Sequence, residues 1–401
     1  MRVALIQPAS PFLLDQGVHG PLGLWYLGAA LREAGHEPLY VDLGLGDALP
    51  DDADVWCLTG TTPQREAMAA VVARGQREAV VPIIVGGPHA SADPDDVLAM
   101  GEVTVVVGEG ERVLPRLLAG GLDHGARIVY AERIRNLDAL PFPDRSQAQR
   151  YHYTLRDRRG AGHRAATAIT SRGCPHRCAF CSGGVWQRRY TARSAPNVLA
   201  EARAIRDMGF GAVHFYDDSL AIDRRRLFAI CEGLRYLGIV WRAFVRADQM
   251  TPARLAAMAR AGCVEVGMGV ESGSNAVLGA IAKGETAEQM AQAMGWARRV
   301  GIRVKAFLIV GLPGESRETL AETEDFLRAT RPDDLDVSVL QLYPGAPLYD
   351  DPRGLRVTGA GGWYKGKPGT YRAAHATERL SAAEIVAARD YLEATYKGVA
   401  A

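Results

Sequence analysis

The sequence predicts an α/β protein in two parts, a doubly wound parallel sheet and then a partial barrel, ending in a short helical tail. Short apolar runs alternate with segments of helical periodicity in two separate series. A polar stretch without either pattern divides the two series. At 401 residues the chain is longer than a single core usually serves.

In the first series, RVALIQP is apolar throughout, as a parallel strand buried on both faces requires. GLWYLGAALREAGH has helical spacing and stops at Gly–His. EPLYVDL and DVWCLTG supply two more strands, and a helix is expected from about Gln64 to Glu78. VPIIVGG, a short helix near Asp95 to Met100, and VTVVVGEGE complete the set. The expected product is a Rossmann-like domain over residues 1–126. Residues 127–164 are mixed and aperiodic and read as a linker.

The second series has strands ATAITS, AVHFYDD, IVWRAFV, VEVGMGV, RVKAFLIV and LDVSVLQL. Helices are expected at 196–208, 224–237, 252–261, 286–300 and 316–328. Six strand–helix steps predict a partial (β/α)6 TIM-type barrel over residues 165–349, open on one side. Such a fold places its chemistry at the C-terminal ends of the strands. The tail, 350–401, holds the Gly- and Lys-rich GAGGWYKGKPGTYR and a helix from Ser381 to Tyr396, opened by the capping box SAAE. No internal repeat or low-complexity tract is present.

Composition narrows the function classes. Hydrophobic residues make up 48% and charged residues 23%, ordinary for a soluble globular protein, and the net charge of +1 argues against a nucleic-acid partner. No apolar run reaches the length of a membrane span, and the first residues lack the pattern of a secretory signal. A cytoplasmic location is the expectation. Of the six cysteines, Cys57, Cys231 and Cys263 lie in apolar surroundings and read as small buried residues. The other three fall within eight residues, and clustered thiols in a reducing compartment suggest metal.

Those three form SRGCPHRCAFCSGG, in which Cys174, Cys178 and Cys181 have the spacing C-x3-C-x2-C. Three thiolates can ligate three irons of a [4Fe–4S] cluster and leave the fourth open to a cofactor or substrate. The alternative is a zinc site completed by His176. Here the sequence resembles the radical S-adenosylmethionine (SAM) enzymes, whose signature is this spacing after the first barrel strand. The resemblance extends from about Ala166 to Tyr349. It implies that SAM chelates the open iron and is cleaved to methionine and a 5′-deoxyadenosyl radical, which takes hydrogen from the substrate.

The same resemblance assigns further positions. Phe180, the aromatic before the third cysteine, lies near the adenine. HFYDDSL ends the second strand and offers Asp217 and Asp218 to SAM's amino group, although Asp217 also suits a helix cap. VRAD ends the third strand, with Arg246 for SAM's carboxylate or the substrate. GVESG supplies Glu271 and Ser272 as ribose contacts, and FLIVGLPGE supplies Gly311, where backbone approaches the adenine.

Residues 1–125 resemble the cobalamin-binding domain that precedes the barrel in one large class of these enzymes. The resemblance places Thr61, Thr62 and Gln64 of TGTTPQ below the corrin ring, and Gly86, Gly87 and His89 of VGGPHA near the nucleotide tail. Gly108 to Glu111 ends the last strand of the set. The common D-x-H-x-x-G motif, whose histidine ligates cobalt from below, is missing. The domain therefore either binds cobalamin without that histidine or serves as scaffold.

Three functions follow. The leading one is a cobalamin-dependent radical SAM methyltransferase acting on an unactivated carbon. The second keeps the radical without cobalamin, for dehydration of a diol, rearrangement or cyclisation. The third is a carrier without SAM cleavage. The expected substrate is a small molecule, such as a natural-product intermediate, lying between the domains and facing the SAM site. Tyr343, Trp363, Tyr364 and Tyr371 either line it or cover domain faces. The electron donor expected from the resemblance is a flavodoxin or ferredoxin.

Overall fold

The computed structural model describes residues 1–79, 81–121, 127–183, 185–186, 188–358 and 370–398. These form two units. One comprises Met1–Tyr153 with Ser182–Thr191, and the other Thr154–Cys181 and most of the chain from Ala192 onward.

The first unit is built on strands β1 (Arg2–Gln7), β2 (Glu37–Asp42), β3 (Val55–Thr59), β4 (Ile83–Gly86), β5 (Thr104–Val107) and β6 (Arg127–Tyr130). They are all parallel, in the order β2-β1-β3-β4-β5-β6. Alternate residues of one strand serve opposite cores, because successive side chains point to opposite faces. Ala4, Ile6, Trp56, Leu58, Val85 and Val105 pack with Met68 and Val72 of helix α2 (Arg65–Arg74). Val3, Leu5, Val55, Cys57, Ile84 and Val106 instead meet Leu24 and Leu31 of α1 (Leu22–Glu33). Burial on both faces explains the continuous apolar runs.

Residues 127–130 extend the sheet as its sixth strand and are not linker. Four residues, with Tyr130 exposed at the edge, are too few to show a period. Residues Asp144–Tyr151 are also fastened to this unit. Arg150 grips Asp47 at 2.7 and 2.8 Å, Tyr151 donates to Asp42 at 2.7 Å, and Asp144 takes the Tyr40 hydroxyl at 2.9 Å. These partners are about a hundred residues apart, which hides them from a local reading.

The second unit has a seven-stranded sheet of β7 (Thr154–Arg156), β8 (Gly162–Ala168), β9 (Ala212–Phe215), β10 (Val240–Val245), β11 (Cys263–Glu271), β12 (Arg303–Val310) and β13 (Asp334–Val339). Strands β8 to β13 are parallel and adjacent in chain order, the topology of a partial barrel. The antiparallel β7 is an addition on the β8 edge. Helices separate the parallel strands close to the expected positions, for example 195–207, 287–299 and 317–330. At the opposite edge, the tail helix Ala382–Tyr396 satisfies β13: Glu393 accepts from the Val337 N–H at 3.4 Å and Arg389 donates to the Val337 carbonyl at 2.9 Å. A helix laid along an edge strand in this way hinders pairing with another chain.

Candidate functional site

In the second unit, the expected site residues meet at the C-terminal ends of β8 to β12. The loop after β8 carries the three cysteines. Cys178 is buried, Cys174 half-buried and Cys181 exposed. The loop backbone is pinned on both sides: the Ala179 N–H donates to Ile281 O at 2.8 Å, and its carbonyl accepts from the Leu348 N–H at 3.0 Å. Phe180 is half-buried beside them. Burial raises the Cys174 thiol, and the charges of Asp218, Arg246 and Cys181 all act on it. Among the described residues no three Cys, His, Asp or Glu side chains are gathered around one point. Three thiols along one loop would each hold one iron of a [4Fe–4S] cluster.

Asp217 and Asp218 follow β9 and have separate fates. Asp217 is fully buried and accepts from Thr170 N at 3.1 Å, Thr170 Oγ1 at 2.6 Å and Ser171 Oγ at 2.5 Å. It braces the root of the cysteine loop and does not offer itself to a ligand, which corrects the expectation for it. Asp218 is exposed, yet surrounding protein and then the charge of Asp217 push its carboxyl upward, against a hydrogen bond from the Gly173 backbone. An exposed carboxylate ringed by protein suits an ammonium ligand. Two further residues hold the same root from behind. Arg226 donates to Thr170 O at 2.6 Å, and Arg193 to Ile169 O at 2.9 Å.

Glu271 ends β11 in the left-handed region at φ 63°, where the β11–β12 register shifts. A non-glycine residue there carries backbone strain, which often marks a functional position. Its carboxylate meets Lys283 Nζ at 3.1 Å, and Lys283 reaches Glu285 at 3.3 Å. Gly269 makes room for the pair, since a Cβ there would lie 2.4 Å from Glu271 Oε1. Ser272 is buried and shares its hydroxyl with Thr323 at 3.2 Å and the Ser274 N–H at 3.1 Å, so its place is packing behind the strand rather than at a ribose.

Arg246 also departs from expectation. Its guanidinium is held by Asp248 at 3.0 Å, Glu285 at 3.0 Å and the Lys283 carbonyl at 2.9 Å, with Nη1 3.8 Å from Cys178 Sγ. The Gly311 peptide after β12 is clamped at both ends. Its N–H donates to Glu315 at 2.5 Å and its carbonyl accepts from His375 Nε2 at 2.8 Å. Gly311 has φ 90°, and a Cβ would lie 2.7 Å from His375 Nε2, so glycine is required twice over. Burial pushes the Glu315 carboxyl up to about 8. Sequence reasoning missed Lys283, Glu285, Glu315 and His375. The charged KGET after an apolar helix was the available signal for the first two. Tyr371 lies under Arg389 with its ring centre 4.0 Å away, covering the tail helix, while Tyr343 is half-buried. Trp363 and Tyr364 fall outside the described residues.

In the first unit, the strand ends are committed differently. His89 is fully buried, with Nδ1 3.3 Å from Thr62 Oγ1 and Nε2 2.9 Å from Asp96. It ties two short helices together and does not face a nucleotide tail. Gln64 is buried, donating to Pro8 O at 2.7 Å and accepting from Thr61 N at 3.0 Å. Of the TGTTPQ trio only Thr61 is exposed. Gly87 has φ 90°, and a Cβ would lie 2.1 Å from Thr59 Oγ1, so this turn is tight for the protein's own sake. Gly86 ends β4 without such crowding. Ser10, on the loop after β1, has a buried hydroxyl with no partner among the described residues. An orphaned hydroxyl, exposed Thr61 and glycine turns at neighbouring strand ends fit a flat ligand held through backbone and shape.

Comparisons with known proteins identify a domain in each unit. Residues 168–327 match the radical SAM superfamily, and residues 15–118 match the B12 binding domain. An uncharacterised methyltransferase of Pyrococcus horikoshii is 28% identical, with 87% of this chain and 83% of the relative covered. The anaerobic magnesium-protoporphyrin IX monomethyl ester cyclase of Rubrivivax gelatinosus is 27% identical, covering 88% and 70%. In fold, the chain is similar to the radical SAM methyltransferase TsrM of Kitasatospora setae, solved with cobalamin and a [4Fe–4S] cluster, at a TM-score of 0.70 and 19% identity over 86% of this chain and 76% of that one. No helix of the described residues is long and apolar enough to cross a membrane. The chain carries a radical SAM domain preceded by a B12 binding domain, and so is an enzyme with a [4Fe–4S] cluster, SAM and cobalamin as its cofactors.

Proposed function

We propose that this enzyme transfers a methyl group to an unactivated carbon of a small molecule. The observation that carries it is the pairing of a B12 binding domain with a radical SAM domain in one chain. When bound, the cofactors supply a carbon-centred radical and a transferable methyl group, and the protein's part is to hold and shield them. Cys174, Cys178 and Cys181 ligate the cluster. Asp218 receives SAM's ammonium group, Glu271 borders its ribose, and the Gly311 peptide, fixed by Glu315 and His375, forms the adenine wall beside Phe180. In the first unit Thr61, Ser10 and the turns at Gly86 and Gly87 would hold the corrinoid. A flavodoxin or ferredoxin supplies electrons.

A relative named as a cyclase favours a second reading, oxidative ring closure by the same radical without methyl transfer. Mass spectrometry of turnover products from candidate small molecules separates the two. Methylation predicts a product heavier by one methylene that carries label from methyl-labelled SAM. An unlabelled product lighter by two hydrogens, with deoxyadenosine formed, would contradict methylation and favour ring closure.

A further inference from the structure

We infer that Arg246 sets the reduction potential of the iron–sulfur cluster through a charged hydrogen bond to the Cys178 sulfur, and does not serve SAM's carboxylate. The inference rests on the cluster assignment to Cys174, Cys178 and Cys181. Arg246 follows β10, and its side chain is 8% exposed. Asp248 and Glu285 take Nε and Nη2, and the Lys283 carbonyl takes Nη2 again. That grip leaves Nη1 aimed at Cys178 Sγ, 3.8 Å away. A guanidinium fork fixed on one side and pointing at sulfur on the other cannot turn toward a ligand without breaking its ion pairs.

The choice of cysteine matters. Cys178 is the buried member of the three, so water screens charge on its sulfur least. An added electron on a cluster increases the negative charge on its thiolate sulfurs. Hydrogen bonds to those sulfurs and nearby charge are the protein's levers on the potential. A cationic N–H at the least-screened sulfur favours the reduced form and so raises the potential. Lys283 is 4% exposed and paired with Glu271 and Glu285, so its charge is largely offset within the network. The chain thus runs from Glu271, at the proposed ribose contact, through Lys283, Glu285 and Arg246 to Cys178.

The test uses the full chain reconstituted with iron and sulfide, as wild type, Arg246→Lys and Arg246→Gln. Iron and sulfide content is measured first, then the midpoint potential by redox titration followed by electron paramagnetic resonance without SAM, and SAM affinity separately. The inference predicts wild-type cluster content and a midpoint shifted to lower potential in both variants, further in Arg246→Gln. An unchanged midpoint with weakened SAM binding would overturn it and return Arg246 to the carboxylate. Failure of the wild-type chain to hold a cluster would instead remove the cysteine assignment, and the inference with it. Should neither variant assemble a cluster, nuclear double resonance on wild type carrying 15N-arginine decides. A 15N coupling to the reduced cluster supports the bond, and its absence overturns it.

Discussion

The strand ends of the two units present opposite economies of side chains. In the second unit, charged groups gather around the cysteine loop, and two ligand candidates, Asp218 and Cys181, remain exposed. In the first unit the distinctive polar residues turn inward: His89, Thr62 and Gln64 are buried and bonded to protein. The contrast follows from what each ligand demands. A cluster and a sulfonium amino acid are held by thiolates and by groups of opposite charge. A corrinoid is large and flat, and backbone turns and shape can hold it. The first kind of site writes itself into residue types, and the second writes itself mainly into glycines.

Substitutions break or sharpen this contrast. The largest effect belongs to the cysteines: Cys174→Ala should abolish cluster assembly and SAM cleavage, read as iron content and deoxyadenosine formation. Retained cleavage would end the assignment. The adjacent carboxylates come next. Asp218→Asn removes a charge-assisted contact of roughly 1.5–3 kcal/mol, so SAM should bind about 10- to 150-fold more weakly with stability unchanged. Asp217→Asn should cost about 1–3 kcal/mol of stability, because it disturbs the acceptor of three buried donors. Equal losses of SAM affinity at both positions, without loss of stability at either, would erase the distinction.

In the first unit, His89→Gln should lower stability by about 1–3 kcal/mol through its bonds to Thr62 and Asp96. Cobalamin affinity measured well below the melting temperature should not change. A selective loss of cobalamin would return His89 to the ligand. The signature expected of Glu315→Gln is pH dependence. The folded-state pKa of about 8 lies above the ordinary carboxylate value, so the folded protein binds more protons than the unfolded chain. Stability from this group is therefore fully present below the ordinary value of 4.5 and lost as pH rises through about 8. The melting temperature of the variant relative to wild type should rise between pH 5 and pH 9. A pH-independent difference would exclude a buried, protonated Glu315.

How much of this was legible follows the same division. Three thiols within eight residues announce a metal without any fold. Six apolar runs spaced by helices announce the barrel and hence where its ligands lie. The tandem Asp217–Asp218 could not be resolved, because Thr170 and Ser171, which claim Asp217, lie more than forty residues earlier. His89 misled because a histidine after a glycine turn at a strand end has the look of a ligand contact, and only the fold brings Asp96 to its other nitrogen. Strands β6 and β7, four and three residues long, are too short for periodicity to mark. Arg246 reads as a partner for SAM's carboxylate or the substrate because only the fold brings Glu285, thirty-nine residues later, to it.

Methyl transfer by this chain requires both units to hold their cofactors. The most direct measurement is anaerobic reconstitution with iron, sulfide and hydroxocobalamin, followed by gel filtration and an absorption spectrum. Stoichiometric corrin eluting with the cluster-bearing protein is the predicted result. A cluster spectrum with no corrin would contradict the account, leaving the first unit a scaffold and methyl transfer without its donor.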